Sequence, residues 1–291
     1  MIIWWIIFAL ASSIFDALQT ILTKKNLFHE HALEFNGVRG FFSFIIISVL
    51  LLPFIDFSIP IKVVAVIYCI SLAASVGIYF SARSVRHLDV SLFSPLQNIS
   101  PFFLVIFAFL ILGEVPTFIQ LLGIGLLLVG TYFLEIDFKK HNLLSPIKSI
   151  IKSRYIHFTL FAMLIFSFTS VFDKFTLTHY ADPITFMFFL WLFISLHLMV
   201  MESYTNGFGE ILKDIRKSGR LLFLVSFIGI IQNLLYVLAI SLQNVSLVVP
   251  LRRISTLIST ILGGKFFHEK NLGVKITACI ILIIGAVLII I

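Results

Sequence analysis

The sequence predicts an all-α integral membrane protein, ten transmembrane helices arranged as two inverted five-helix repeats. Three observations carry that prediction. Of the 291 residues, 60% are hydrophobic and 12% charged, against about 45–50% and about 25% in an ordinary soluble domain. The polar surface that a water-soluble fold requires is missing, so lipid must solvate the chain. Apolar runs of bilayer-crossing length, about 20 residues, recur ten times. The second half also repeats the first, with the charge of its connecting loops shifted in parity.

The runs are Ile2–Thr23, Leu33–Phe54, Val63–Ala82, Val90–Leu112, Phe118–Ile136, Ile156–Lys174, Ile184–Val200, Leu221–Leu242, Val245–Gly264 and Leu272–Ile291. Short loops join them, leaving no room for an extramembrane catalytic domain. No cleavable signal peptide is expected, because Met1-Ile2-Ile3-Trp4-Trp5 lacks a basic n-region and Lys24-Lys25 follows the first run. Two connections carry helical periodicity: Ile147, Ile150 and Ile151 share one face, as do Phe208, Ile211, Leu212 and Ile215. Both read as short amphipathic helices in the headgroup region. Cys69 and Cys279 lie in apolar runs and read as small core residues, neither a disulfide framework nor a metal site.

The best internal match pairs Val90-Ser91-Leu92, Pro95-Leu96, Ile99-Ser100 and Glu114 with Val245-Ser246-Leu247, Pro250-Leu251, Ile254-Ser255 and Glu269, at a constant spacing of 155 that also carries Gly130 onto Gly285. At 157, Tyr79, Ala82 and Ser84 fall on Tyr236, Ala239 and Ser241. For spans one and six, a spacing of 150 places Lys24 and His29 on Lys174 and His179, whereas 157 places Asp16 on Asp173; the former aligns the span starts. The chain therefore divides into repeat 1 (residues 1–136), a linker (137–154) and repeat 2 (155–291). An odd number of spans per copy forces the copies into opposite orientations. The basic loops follow spans one and three in the first copy but seven and nine in the second, as opposite insertion demands. Sixteen of the 21 lysines and arginines collect on one side, among them Lys24, Arg86, Arg154 and Lys213. The positive-inside rule makes that side cytoplasmic and places both termini outside. A net charge of +7 is thus a membrane signature, and no nucleic-acid partner is expected.

Over nearly its whole length the chain resembles the EamA-like branch of the drug/metabolite transporter superfamily. The resemblance rests on Ser94-Pro95-Leu96-Gln97-Asn98-Ile99-Ser100-Pro101 through Leu112-Gly113-Glu114, on Gly123-Ile124-Gly125 through Gly130, on Pro250-Leu251-Arg252-Arg253-Ile254-Ser255 through Phe267-His268-Glu269 and Gly285, and on Val171-Phe172-Asp173-Lys174. It implies a central cavity lined by spans one, three, four, six, eight and nine, and movement of small metabolites across the plasma (inner) membrane of a bacterium or archaeon. It also implies cytoplasmic termini, opposite to the charge count. The tryptophan usual in mid-span one is replaced near Asp16.

A charge in hydrocarbon is a functional candidate by default. Asp16 is the deepest acid, read either as a proton-coupling carboxylate or as a helix-joining hydrogen-bond acceptor. Asp173 is the second coupling candidate, although with Lys174 it sits near a span end where snorkelling is the simpler reading. Arg39 reads as structural, pairing with Glu34 or headgroups. Glu114 and Glu269 are placed to bond a neighbouring helix end. His197 reads as a packing or lipid-facing histidine. Substrate-binding candidates, in the spans that the resemblance assigns to the cavity, are Gln19, Tyr79, Gln97, Asn98, Gln232, Asn233, Tyr236, Arg252 and Arg253. The two arginines stand where the first copy has two amides and favour an amino acid or organic anion. Pro95, Pro101 and Pro250 loosen helices that must move.

The favoured function is a secondary transporter of a small polar or amphiphilic metabolite, working by alternating access, with lipid and substrate as partners, a proton as candidate coupling ion, and neither metal nor cofactor. An integral-membrane enzyme is disfavoured because His-Glu-x-x-His, Gly-x-Ser-x-Gly and phosphate-loop motifs are absent and His29-Glu30-His31 has the wrong helical spacing for a shared metal. A scaffold lacks a large exposed partner surface. Orientation is testable with single cysteines at Ser58 and Ser149 in a background without Cys69 and Cys279. Only the Ser58 position is expected to react with an impermeant thiol reagent in intact cells, and labelling of Ser149 alone would invert the assignment.

Overall fold

The structure, a computed structural model, describes residues 2–27, 32–135, 153–268 and six helical residues between 280 and 288. All regular structure among them is helical: α1 (Ile2–Leu27), α2 (Ala32–Leu51), α3 (Ile61–His87), α4 (Val90–Leu96), α5 (Ser100–Leu112), α6 (Phe118–Glu135), α7 (Arg154–His179), α8 (Pro183–Asn206), α9 (Phe208–Leu242), α10 (Val245–Arg252) and α11 (Ile254–Phe266). Eight stretches are long and apolar enough to cross a membrane, and a shorter apolar helix, Phe118–Gly130, stands at the fifth expected span. Most of the tenth span, the linker helix, His29-Glu30-His31, Glu269 and Cys279 lie outside the described residues.

Several helices run past their expected ends. The first continues through Lys24 and Lys25 to Leu27 and the third through Arg83 and Arg86 to His87, because lysine and arginine are good helix formers. The amphipathic stretch at Phe208 is not a separate interfacial helix but the first turns of the 35-residue α9. Only Gly219 weakens the junction, and one interior glycine costs just about 1 kcal/mol. Cys69 is exposed on the outer face of α3, not in the core.

Spans four and nine are broken at equivalent places. In the first copy a 3-10 turn at Gln97–Ile99 separates α4 from α5; in the second the interruption is Arg253 alone, between α10 and α11. Proline supplies no N–H to the preceding turn. Pro95 and Pro101 flank the longer break, and Pro250 stands just before the shorter one. The two breaks cross. Asn98 Nδ2 donates to Thr256 Oγ1 at 3.1 Å and Ser259 Oγ to Ser94 Oγ at 2.9 Å, a buried polar seam between the copies.

Helix directions establish the inversion. The Lys24 ammonium, near the end of α1, is buried and donates to the carbonyls of Val85 (2.9 Å), Arg86 (3.1 Å) and Leu88 (2.7 Å) at the end of α3. The start of α7 lies at that same end, where Ser84 Oγ donates to the Tyr155 carbonyl at 2.9 Å and His87 stacks on Tyr155. Hence α1 and α7, the first helices of the two copies, run in opposite directions. Near the far end of α7, Lys174 Nζ donates to the Ile240 carbonyl at 2.8 Å, close to the end of α9. Lys24 and Lys174, matched at a spacing of 150, thus cap the third helix of each copy on opposite faces, a cation at the negative end of a helix dipole.

The copies interleave. The main neighbours are α1 with α9, α2 with α8, and α3 with α7. Glycine permits the closest approach: a β-carbon on Gly40 of α2 would stand 2.8 Å from the Ser195 carbonyl oxygen of α8, and one on Gly285 would stand 2.8 Å from the Gly123 carbonyl oxygen of α6. Glu114 follows the left-handed Gly113 that ends α5. Its carboxylate accepts from Ser246 N (3.2 Å) and Ser246 Oγ (2.8 Å), as expected of an acid placed to bond a neighbouring helix end.

Lys24→Met leaves three carbonyls, two of them buried, short of a donor and is expected to lower stability by about 1–3 kcal/mol. Lys174→Met, which frees one carbonyl, should cost less. Unfolding in mixed micelles measures both, and equal losses would refute the asymmetry.

Candidate functional site

A cavity of about 210 Å³ lies where the copies meet. Its walls come from α1, α3, α4, α5, α7, α9 and α10, and also from α2 and α8, which contribute Phe35, Arg39, Leu190, Trp191 and Ile194. The resemblance did not imply these last two helices. They reach the centre because glycine lets α2 sink against α8.

Nine of the sequence candidates face the cavity: Asp16, Gln19, Gln97, Asp173, Gln232, Asn233, Tyr236, Arg252 and Arg253. Two do not. Tyr79 is turned about 100° from its cavity-facing neighbour Ile78, and its hydroxyl accepts from Arg83 Nη1 at 3.0 Å. Asn98 is enclosed in the polar seam on Thr256.

The breaks in spans four and nine deliver the charged groups. Arg252 ends α10 and donates from Nη2 to Asp16 Oδ1 at 3.2 Å, while Ser255 Oγ donates to Asp16 Oδ2 at 2.7 Å. The Arg252 guanidinium also lies 4.7 Å from the centre of the Tyr236 ring, a cation–π contact. With the Gln232 amide oxygen turned towards it, Arg252 Nε donates there at 3.0 Å. Arg253, in the break itself, crosses to the first copy: Nε donates to Ser100 Oγ and Nη1 to Gln97 Oε1, both at 3.0 Å. The arginines therefore diverge, one to an acid on α1 and the other to uncharged groups on the partner break.

Asp173 does not snorkel. It is buried, 7% exposed, lines the cavity, and its Oδ1 has no hydrogen-bond partner. Arg39, expected at Glu34 or the headgroups, instead points inwards over the Trp191 ring at 5.6 Å. The available signal was that a lone cation inside an apolar span has no partner on the lipid side. His197 packs edge-on against Tyr68 on the α3–α8 surface, away from the cavity.

Set against known proteins, the chain matches the model of the EamA-like transporter family over residues 3–136 and again over 153–291. No curated protein matches it. A solved structure titled "Crystal structure of protein" is similar at a TM-score of 0.56 and 16% identity, covering 99% of this chain and 92% of that one. At that identity the likeness speaks for the fold alone.

Asp16 and Arg252 are 17% and 19% exposed, so removing either leaves its partner largely buried without a counter-ion. Asp16→Asn and Arg252→Gln are each expected to cost stability near the lower end of about 3–5 kcal/mol, and the double variant should be more stable than either alone. A double-mutant cycle on unfolding in micelles reads the coupling; strictly additive losses would show that the pair is not energetically joined.

Proposed function

The chain belongs to the EamA-like transporter family, and from that premise we propose that it is a secondary transporter moving a small amino acid or organic anion by alternating access of its two inverted copies. The family makes it a multi-pass membrane transporter with a small-molecule substrate in a lipid setting. The charge of the cavity supports the substrate class. Three cations, Arg39, Arg252 and Arg253, face it against two acids, Asp16 and Asp173, so an anionic group is favoured even with both acids ionised.

The mechanism follows from where the mobile points lie. Both copies break the helix that crosses at the cavity, and each has a lysine cap at its own face of the membrane. Rocking one copy against the other about the crossing would open one face while the opposite one stays closed. Asp173 is the proposed site for the coupling proton, because its Oδ1 is unpartnered, while both oxygens of Asp16 are engaged by Arg252 and Ser255.

Proteoliposomes preloaded with unlabelled L-amino acids or dicarboxylates and then offered labelled ones test this reading. Counterflow is expected for at least one carboxylate class and not for organic cations. Asp173→Asn should abolish uptake driven by a pH gradient while preserving counterflow, which needs no net proton movement. Exchange of cations alone would overturn the substrate class, and unaltered gradient-driven uptake in the variant would overturn the coupling assignment.

A further inference from the structure

The three cavity cations are not equivalent. Arg252 is neutralised by Asp16, and Arg253 gives two of its N–H groups to Ser100 and Gln97. The Arg39 backbone carbonyl accepts from Ser226 Oγ at 3.4 Å, but among the described residues its guanidinium makes no hydrogen bond or ion pair, its buried Nε is unpartnered, and it lies over the Trp191 ring. Asp16 lies within electrostatic range of it, yet both oxygens of that carboxylate are already in use. Arg39 is partly buried, and a guanidinium that gives up water without a counter-ion is unfavourably placed unless something else supplies one.

Two more donors near Arg39 are also idle. Gln19 Nε2 and Trp191 Nε1 are buried without an acceptor, and both residues line the cavity. Gln19 and Arg39 converge on one spot: a β-carbon on Gly229 would collide with the Gln19 amide and stand 3.3 Å from Arg39 Nη2. The missing side chain at Gly229 is what admits the two groups together. In this arrangement both the guanidinium and the Gln19 amide nitrogen present donors there. Beside them the wall is apolar, formed by Trp191, Leu190 and Ile194.

We propose that Arg39, with Gln19 beside it, holds the carboxylate of the transported molecule, and that the molecule's apolar body lies against Trp191. Arg252 and Arg253 shape the cavity and join its walls but do not take the carboxylate. A planar fork of donors suits a carboxylate bidentately, and an apolar wall within a few ångströms selects monocarboxylates carrying a hydrophobic or aromatic group over small dicarboxylates. The assignment rests on the transport reading above and narrows its substrate class.

Thermal unfolding and calorimetric titration of the detergent-purified protein with 3-phenylpropionate, its alcohol 3-phenylpropanol and succinate provide the test. 3-Phenylpropionate is expected to raise Tm and to bind at least tenfold more tightly than either of the others. Arg39→Gln should weaken it tenfold or more, Gln19→Ala several-fold, and Arg253→Gln less than Arg39→Gln. Should Arg39→Gln fail to fold, modification of Arg39 by phenylglyoxal in the wild type, read by peptide mass spectrometry, should be slowed by 3-phenylpropionate and not by the alcohol. No binding of 3-phenylpropionate, equal affinity in Arg39→Gln, or equal modification with and without the carboxylate would each overturn the proposal. Carboxylate counterflow with unchanged KM in Arg39→Gln would sink this assignment and leave transport standing, whereas Arg39-dependent binding without counterflow would support the site and sink transport.

Discussion

The crossing of two interrupted helices, bridged by Arg253 to Gln97 and Ser100, is the contact on which the rest of the molecule depends. In hydrocarbon every polar group freed from a helix must find a partner within the protein. Polar side chains gather at the breaks in spans four and nine, and across the crossing they bond one another. Asn98 with Thr256 and Ser94 with Ser259 extend the seam. Interhelical hydrogen bonds in membranes average only about 0.6 kcal/mol each, so the seam joins the copies without welding them.

The cavity lies beside the seam that joins the copies, and glycine lets their helices approach around it. Gly40 brings α2 onto α8 and Gly229 opens α9 towards Gln19 and Arg39. Polar side chains facing the resulting space fall into two sets. Asp16 and Arg252 satisfy each other, with Ser255 bonding the second Asp16 oxygen, and Arg253 is taken up by Ser100 and Gln97. Arg39, Gln19, Trp191 and Asp173 retain idle polar atoms, and a buried idle donor or acceptor is costly enough to call for an occupant. The division differs from one drawn by charge alone, which would make Arg252 and Arg253 the more prominent pair.

The lysine caps show how duplication and inversion act on one residue type. Lys24 finds three carbonyls in a buried site, whereas Lys174 is half-buried and finds one. Identical ancestry has therefore produced a tight closure at one face and a looser one at the other. Glu114, set by the left-handed Gly113, adds a carboxylate at the start of α10 on the looser face.

Membrane residence, the places of the eight bilayer-length spans and the two-copy layout were determined by the sequence, because they depend on one-dimensional quantities: the length of apolar runs, the sign of loops and the recurrence of Pro95-Leu96 as Pro250-Leu251. The proline positions announced weakened helices, and Glu114 announced a helix cap. Three-dimensional proximity decided the rest. That Asp16 meets Arg252 across 236 positions of chain, that Tyr79 and Asn98 turn away from the cavity, and that Arg39 faces inwards depend on helix rotation and crossing. These are set by glycine contacts and by the sum of many small packing terms that no local pattern records. A side chain's residue type shows what it could bond; only the packed helices determine whether a partner is already there.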